Sequence, residues 1–359
     1  MKAVDCNAEM SKYHNDKVTL QKSDQDDMRT RRDAGRTRLK KGLERDRHSG
    51  PDVTASQGSY AMRTMVQDAD NDYDIDDGAY FKKANLKDAN GHELTPYAAR
   101  LRVCNALKQD DRLKHDAEVH KNCVRQKYPE GYHIDIPVYR IVTSTDKDGK
   151  PVTDYELASQ DTWTKSDARS VTHWFSDIVG ELNADEDDGN QMRRVTRLTK
   201  KLARSRTKWK KEAPSGICLT KLVVECFVAQ SGRDDAALHE TWKTISNRLA
   251  ESLQIEHPVL TGTMLAAEGD TKVAFFRDCL DGAIVDLEVL DEQNCTKKKA
   301  LSAWDKAFDT TFFSDQYVEE NQPKRAAAVA GSLLSPAAVA SGLSFPNRPV
   351  VPNKPAGFA

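Results

Sequence analysis

Residues 73–81 read YDIDDGAYF, and residues 132–141 read YHIDIPVYRI. Apolar side chains alternate with aspartates in both runs, which predicts two β-strands. Asp74 and Asp76 would then share one face of their strand, with an isoleucine on the other face. Asp135 stands between two isoleucines and is likewise aimed away from the packed side. If the two strands pair, the three carboxylates converge.

Three carboxylates at one place repel each other unless a cation neutralises them. Magnesium binds carboxylates together with phosphate oxygens, and paired metal ions are a known solution for in-line phosphoryl chemistry. A lone Asp-x-Asp pair is more often a solvated acidic edge. Asp135 is more informative, because burying an unpaired carboxylate costs several kcal/mol or shifts its pKa.

A complementary motif precedes the first aspartates. Gln57, Gly58 and Ser59 follow a strand predicted at 52–56 and precede a short helix predicted at 60–66. Glycine lets backbone N–H groups approach a phosphate closely, and a helix N-terminus favours an anion. The Ser59 hydroxyl can donate, and Gln57 can reach a phosphate or a sugar. A Gly-Ser pair by itself is typical of any turn.

The remaining pattern predicts an α+β chain of four parts. These are an N-terminal helical segment (1–50), a core with a mixed sheet (51–158), a helical lobe (159–322) and a flexible Ala/Pro-rich tail (323–359). The core should hold a helix at 95–109 and a strand at 121–128, and residues 143–154 read as a turn-rich connection. The run 217–229 favours a buried helix.

The N-terminal helix, within 17–43, is highly charged and sparse in apolar positions. It is predicted to lie along the surface and to brace the other two folded parts. Its arginines, Arg31, Arg32, Arg36 and Arg38, are expected to be mostly solvated.

Composition excludes several classes of protein. The 54 basic and 56 acidic side chains give a net charge of −2, whereas proteins that grip duplex DNA usually carry a basic excess. The seven cysteines are scattered without metal-binding spacing, which indicates reduced thiols. No apolar run reaches about 18 residues, and the N-terminus has no signal-peptide pattern. We therefore expect a cytoplasmic protein that neither requires DNA nor enters a membrane.

QGSYAMRT (57–64), DYDIDDGAYF (72–81) and YHIDIPVY (132–139) together resemble the polymerase-β-like nucleotidyltransferase core of the bacterial cGAS/DncV-like family, the CD-NTases. The longer strings DIDDGxY and HIDIPxY resemble the DncV-type cyclic dinucleotide synthases in particular. The resemblance spans about residues 53–226. It implies a mixed-sheet core closed by a helical lobe, with nucleotides bound between them.

The resemblance also implies a mechanism. Asp74, Asp76 and Asp135 would hold two Mg²⁺ ions, with Mn²⁺ as the alternative, and Gly58 and Ser59 would cradle the donor phosphates. ATP and GTP, or other nucleoside triphosphates, would be the substrates. Catalysis would rest on positioning and charge neutralisation.

Four more residues match nucleotide-contacting positions of the family. Three of them also have a plain structural interpretation: Arg125 as a surface strand arginine, Ser166 as the cap of a helix, and Lys200 as part of a solvated basic face. Lys201 leaves the register of Lys200 open. Ser215 is followed by glycine where the DncV-type has a second serine, and the stretch before it is longer.

The family implies a product and a setting. A purine cyclic dinucleotide such as cyclic GMP–AMP would act as a second messenger in CBASS antiphage defence and activate a separate effector. The tail is either plain disorder or the target of an E1/E2-like enzyme acting at Ala359. The rival functions are a nucleotidyltransferase that makes a linear oligonucleotide or modifies tRNA or protein, and a non-catalytic nucleotide-binding regulator.

Overall fold

Strand β2 (Asp74–Lys82) lies at the centre of an eight-stranded mixed sheet. The computed structural model describes residues 4–68, 73–108, 113–184 and 187–317. On one side β2 pairs antiparallel with β1 (Val53–Gln57). On the other it runs parallel first to β5 (His133–Ile136) and then to β6 (Val138–Thr145). The run 132–141, predicted as one strand, is therefore two strands that follow the same edge of β2.

Pro137 separates β5 from β6, since proline has no N–H to give to a sheet. Its carbonyl still accepts from Ala79 of β2, at 2.9 Å. On the edges that face away from β2, the two strands have different partners. Strand β5 pairs with the strand 124–127, and β6 pairs with the strand 151–159. The remaining strands of the sheet are β3 (Glu118–Val119), β4 (Val124–Lys127), β7 (Pro151–Ser159) and β8 (Thr162–Lys165).

The connection predicted at 143–154 is wrong in extent. Strands β6 and β7 form a long hairpin whose ladder runs to Thr145 and resumes at Pro151. Only the tip is a turn, in which Asp146 accepts from the backbone N–H groups of Asp148 and Lys150. The turn residues hid the fact that the flanking segments pair.

The helices divide between the two sides of the molecule. Those beside the sheet are α2 (Lys22–Arg45), α3 (Gly58–Ala61) and α4 (Pro96–Leu107). The helical lobe contains α1 (Asn7–Tyr13) with a π-helical turn (His14–Val18), α5 (Ala168–Leu182), α6 (Asp188–Ala203), α7 (Thr207–Glu212), α8 (Gly216–Cys226), α9 (Asp234–Glu251), α10 (Thr271–Leu287) and α11 (Lys297–Phe308). A small hairpin of β9 (Ile255–Glu256) and β10 (Met264–Ala266) belongs to the same lobe.

Two apolar clusters support this arrangement. One joins the inner face of the sheet to α2 and α4, where Gly42 allows close packing: a Cβ there would lie 1.9 Å from the Ala106 carbonyl oxygen. The other fills the helical lobe around Trp242, Trp304 and Phe308. Helix α8 contributes its apolar side chains to this second cluster, as predicted for 217–229.

The prediction that the α2 arginines are mostly solvated is wrong for two of them. Arg36 forms a bidentate ion pair with Asp77, whose carboxylate is buried beneath α2. The side chain of Arg32 is only 13% exposed and donates to Ser56 of β1. Because an unpaired buried carboxylate is costly, Asp77 fixes where the basic face of α2 docks.

The predicted α+β class, with a mixed sheet and a helical lobe, is confirmed. The four-part division of the chain stays a prediction, and its tail, 323–359, lies outside the described residues. Among the described helices, none has the length and apolar character needed to cross a bilayer.

Candidate active site

The parallel register of β2 and β5 sets the geometry of the carboxylates. Asp76 lies directly opposite Asp135, and Asp74 lies opposite His133. All four side chains share one face of the sheet, since residues two apart point the same way. The strand pairing predicted from the sequence therefore does bring the three aspartates together.

Burial and neighbouring carboxylates raise the proton affinity of Asp74 and Asp76. Burial raises the pKa of Asp74, and the nearby Asp135 charge adds to the effect. Burial raises the pKa of Asp76 well above its ordinary value, with Asp74 and Asp135 adding to it. This crowding is the condition that a bound cation relieves.

Arg125 supplies the main positive charge in direct contact with this cluster. It comes from β4, opposite Asp135 in the ladder. Its Nε and Nη2 atoms bond both carboxylate oxygens of Asp135, at 2.8 and 2.7 Å. The predicted nucleotide-facing arginine thus approaches the site through Asp135 and is not itself part of the cavity wall.

His133 was missed in the sequence. Its Nε2 lies 3.8 Å from one oxygen of Asp74 and 3.8 Å from one oxygen of Asp135. Ligand atoms of these three residues all lie within 4.8 Å of one another. The available signal was its place two residues before Asp135, which gives both side chains the same face.

Gly58 is required where it stands. Its φ of +64° favours glycine, and a Cβ there would meet the Oδ2 atom of Asp76 at 2.5 Å. The helix that begins here, α3, ends at Ala61, so it is shorter than the predicted 60–66. The motif therefore offers close backbone approach and the Ser59 hydroxyl, with little contribution from a helix dipole.

The Gln57 side chain is committed to the protein. Its Nε2 donates to the Tyr139 hydroxyl and its Oε1 accepts from the Tyr80 hydroxyl, both at 3.0 Å. The two tyrosine rings stack with centroids 4.4 Å apart. Gln57 lines the cavity. Its side-chain amide is engaged by the two tyrosine hydroxyls and holds these rings in place, so the amide is not predicted to bind a phosphate.

Lys200, on α6, is the buried cation of the site. Its Nζ donates to the Thr64 hydroxyl at 2.9 Å. Burial, together with the nearby Arg197 and Arg204 charges, lowers its pKa to about 7, and Asp74 opposes the shift. The structure selects Lys200 over Lys201, because Lys200 lines the cavity and Lys201 does not.

A single cavity of about 680 Å³ joins these groups. Ser166 lines it just before α5, where Asp167 caps the helix by accepting from the Ser170 N–H, so the two residues divide the roles predicted for this segment. Ser215 lines the wall near Lys200 and donates to Cys218 at 3.1 Å. Of the ten predicted site residues, Arg125 is the one outside the wall, which contains Gln57, Gly58, Ser59, Asp74, Asp76, Asp135, Ser166, Lys200 and Ser215.

The donor set fits a hard divalent cation. Carboxylate oxygens are the ligands that Mg²⁺ and Mn²⁺ prefer. Burial, together with the neighbouring carboxylates, raises the pKa values of Asp74 and Asp76, and a bound cation would offset that effect. Asp74, Asp76 and Asp135 would hold the metal, and the open cavity beside them leaves room for phosphate oxygens.

Comparison with known proteins agrees with this geometry. Residues 53–139 match the family model described as cyclic GMP-AMP synthase DncV-like, nucleotidyltransferase domain. That stretch contains the Gly-Ser pair and all three aspartates. Residues 53–139 are therefore similar to a DncV-like nucleotidyltransferase domain. The family resemblance drawn from the three motifs is confirmed.

Solved structures share the fold over nearly the whole described chain. Vibrio cholerae DncV cyclic AMP-GMP synthase, in complex with the linear intermediate 5′ pppA(3′,5′)pG, has a TM-score of 0.66 at 18% identity, with 86% of this chain and 96% of that chain covered. CdnC of E. coli MS115-1 with ATP has a TM-score of 0.61 at 18% identity, with 86% and 99% covered. Escherichia coli DncV in its 3′-deoxy GTP bound form has a TM-score of 0.59 at 21% identity, with 81% and 92% covered. The DncV-like domain thus lies in a cyclic dinucleotide synthase-like fold.

Proposed function

We propose that the protein is a metal-dependent nucleotidyltransferase that joins nucleoside triphosphates into a cyclic dinucleotide and releases pyrophosphate. The observation that carries this proposal is one cavity shared by three converging aspartates, the Gly58–Ser59 turn and the buried Lys200. The similar V. cholerae structure holds a linear dinucleotide intermediate, and we extend that chemistry to this chain. A purine product such as cyclic GMP–AMP is the first expectation.

The protein residues divide the work. Two Mg²⁺ ions, or Mn²⁺ in their place, bound by Asp74, Asp76 and Asp135 would neutralise the triphosphate and the departing pyrophosphate. Gly58 and Ser59 bind the donor phosphates at short range, and Lys200 adds a cation beside them. The acceptor 3′- or 2′-hydroxyl loses its proton, its oxygen bonds to the α-phosphorus, and the bond to pyrophosphate breaks. A second such step closes the ring.

The surplus of acidic side chains favours this function over a non-catalytic regulator. A protein that bound a nucleotide without a metal ion would gain nothing from three carboxylates facing an anionic ligand. Their mutual repulsion is useful only where a metal is bound together with phosphates. The rival transferases, which extend a linear oligonucleotide or modify tRNA or protein, use the same residues and are separated by their product.

The test is a reaction of purified protein with Mg²⁺ or Mn²⁺ and all four nucleoside triphosphates, followed by phosphatase and mass spectrometry. We expect a phosphatase-resistant cyclic dinucleotide, whose mass also names the bases. The matched control is the Asp74→Asn/Asp76→Asn double variant. A phosphatase-sensitive linear product, or transfer only to an added macromolecule, would replace the proposal with one of its rivals.

We further propose a role in CBASS antiphage defence in the bacterial cytoplasm, with the product activating a separate effector. An E1/E2-like enzyme acting on the C-terminal tail belongs to the same proposal, and Ala359 lies outside the described residues. Deletion of the last few residues should then abolish conjugates in cells and weaken protection against phage. If conjugates and protection were unchanged, the proposal that the tail is conjugated would be wrong.

A further inference from the structure

His257 is a titratable residue of the cavity wall that the proposed chemistry does not use. It follows β9 in the helical lobe, at the start of the turn that leads to β10. Its backbone N–H is bonded to the Thr263 carbonyl at 2.8 Å, which anchors the turn. It lines the same cavity as the aspartates, although it comes from the opposite side of the molecule.

The protein fixes the orientation and the tautomer of this imidazole. Its Nδ1 accepts from the backbone N–H groups of Val259 and Leu260, at 3.2 and 3.1 Å. A nitrogen that accepts from two N–H groups cannot carry a proton, so the ring hydrogen is on Nε2. Within the described part of the chain, these two bonds at Nδ1 are the hydrogen bonds of the ring.

The ring stays neutral in this setting. Burial lowers the pKa of His257, and only Asp167 opposes the effect. Asp167 itself is occupied as a helix cap, accepting from both the backbone and the hydroxyl of Ser170. His257 therefore offers the cavity one N–H donor without a positive charge, and it is poorly suited to bind a phosphate.

The wall of the cavity suggests what this donor meets. Away from the aspartates, Lys200 and Ser59, it includes the apolar side chains of Leu157, Ala168, Val171 and Ile217. Apolar side chains with a few fixed polar groups are the usual lining of a small-molecule site, and such a lining suits a nucleobase, because apolar contact supplies affinity and a hydrogen bond supplies selectivity.

We propose that the Nε2–H of His257 donates to N7 of a purine base, and so helps to select purine over pyrimidine nucleotides. This inference rests on the proposed function, since it assigns the base-reading end of the same cavity. N7 is an acceptor present in both adenine and guanine and lacking in cytosine and uracil. A neutral donor held by the protein rejects a base that has no acceptor at that place.

Two variants separate the donor from the turn. In His257→Asn the side-chain oxygen can stand where Nδ1 stood and keep the turn, while the donor is lost. In His257→Gln the side-chain amide can reach the Nε2 position, while the Nδ1 acceptor is lost. Both are assayed with ATP, GTP and their 7-deaza analogues, in which N7 is replaced by C–H.

We expect the wild-type enzyme to use at least one 7-deaza purine triphosphate about tenfold less well in kcat/KM, the worth of one hydrogen bond. His257→Asn should lose that discrimination and use the natural purine as poorly as its analogue. His257→Gln should retain part of it, even if its melting temperature falls. A purely structural role would lower all rates together and leave the ratio unchanged.

The inference is overturned if the wild type does not discriminate, or if it discriminates and His257→Asn does so equally. The measurement on the wild type alone shows whether a natural purine is preferred to its 7-deaza analogue. The inference can therefore be overturned even if a variant fails to fold. Failure of the proposed function looks different, because the wild type would then give no cyclic product with any natural nucleotide.

Discussion

The sheet carries an arginine–aspartate pair on each of its two faces. On the face covered by α2, Arg36 holds Asp77 with an Nε–Oδ2 distance of 2.7 Å. On the face open to the cavity, Arg125 holds Asp135 at 2.8 and 2.7 Å. Both arrangements are bidentate, and both carboxylates are under 10% exposed. Local geometry alone would give the two pairs the same role.

Their surroundings differ in charge. Asp77 also accepts from the Ser56 hydroxyl at 3.1 Å, and α2 closes the site with arginines. Asp135 instead shares its face with two more carboxylates whose pKa values are raised. One face is thus neutralised within the chain, whereas the other has negative charge left over. We infer that the Arg36–Asp77 pair stabilises the fold, whereas the Arg125–Asp135 pair belongs to a site that binds a cation.

The largest expected effect comes from removing carboxylates on each face. Asp74→Asn with Asp76→Asn should lower product formation by about 1,000-fold or more without lowering the free energy of unfolding, because it relieves repulsion. Asp77→Asn should instead lower that free energy by about 3 kcal/mol, since it leaves Arg36 partly buried and unpaired. Product yield and urea denaturation measure the two effects.

Either half of this comparison can fail. Retained activity in the double asparagine variant would contradict the metal site. An Asp77→Asn protein as stable as the wild type would show that the closed-face pair adds nothing.

The arginines give a smaller and more specific test. Arg125→Gln should lower the melting temperature in chelator and raise the affinity for Mg²⁺, because three carboxylates then face the cation unopposed. Mg²⁺ at about 100 times its dissociation constant adds about 2.7 kcal/mol to stability, which should largely restore this variant. Arg36→Gln is the matched control and should be destabilised with or without Mg²⁺.

Thermal melts measure the melting temperature and calorimetric titration measures the Mg²⁺ affinity, and neither requires turnover. Equal responses of the two variants to Mg²⁺ would mean that the two faces do not differ as argued.

The sequence predicted the aspartates on the cavity-facing side of the sheet better than the ion pair on the side covered by α2. Alternation in DIDD and HIDI was enough to predict which faces of their strands carry Asp74, Asp76 and Asp135, because strand periodicity is a local property. Their convergence also required the two strands to pair, which alternation alone does not show. The same alternation puts Asp77 on the inner face, where a carboxylate needs a cation. That signal was available, but nothing in the spacing of the α2 arginines says which of them docks there.

Other features depend on tertiary context. The turn residues of 143–154 concealed the β6–β7 hairpin, since turn chemistry is the same in a loop and at a hairpin tip. Helix α10 was not foreseen at all. His257 could not be placed, because its role depends on a turn that points one ring nitrogen at the backbone and on a wall formed by distant segments.

Lys200 gives the last test of the comparison, as a cation of the cavity that, among the described residues, bonds Thr64 and no carboxylate. Its pKa of about 7 lies below the ordinary lysine value of 10.5, so the folded protein releases a proton that the unfolded chain keeps between those pH values. Stability from this group therefore rises with pH from about 7 to about 10, by up to about 1.4 kcal/mol per unit. Below pH 7 both states hold the proton and the burial cost is present in full. Lys200→Met should thus be most favourable relative to wild type near pH 6, and that advantage should shrink as the pH rises.

The same reasoning predicts proton uptake when a nucleotide binds. A triphosphate beside Nζ favours the charged form, so binding of a magnesium nucleotide at pH 8 should take up somewhat less than one proton. Calorimetry in two buffers of different ionisation enthalpy measures this directly. Lys201→Met is the matched control, because Lys201 lies outside the cavity wall and its loss should leave the uptake unchanged. Equal uptake in Lys200→Met and wild type would mean that Lys200 does not meet the phosphates.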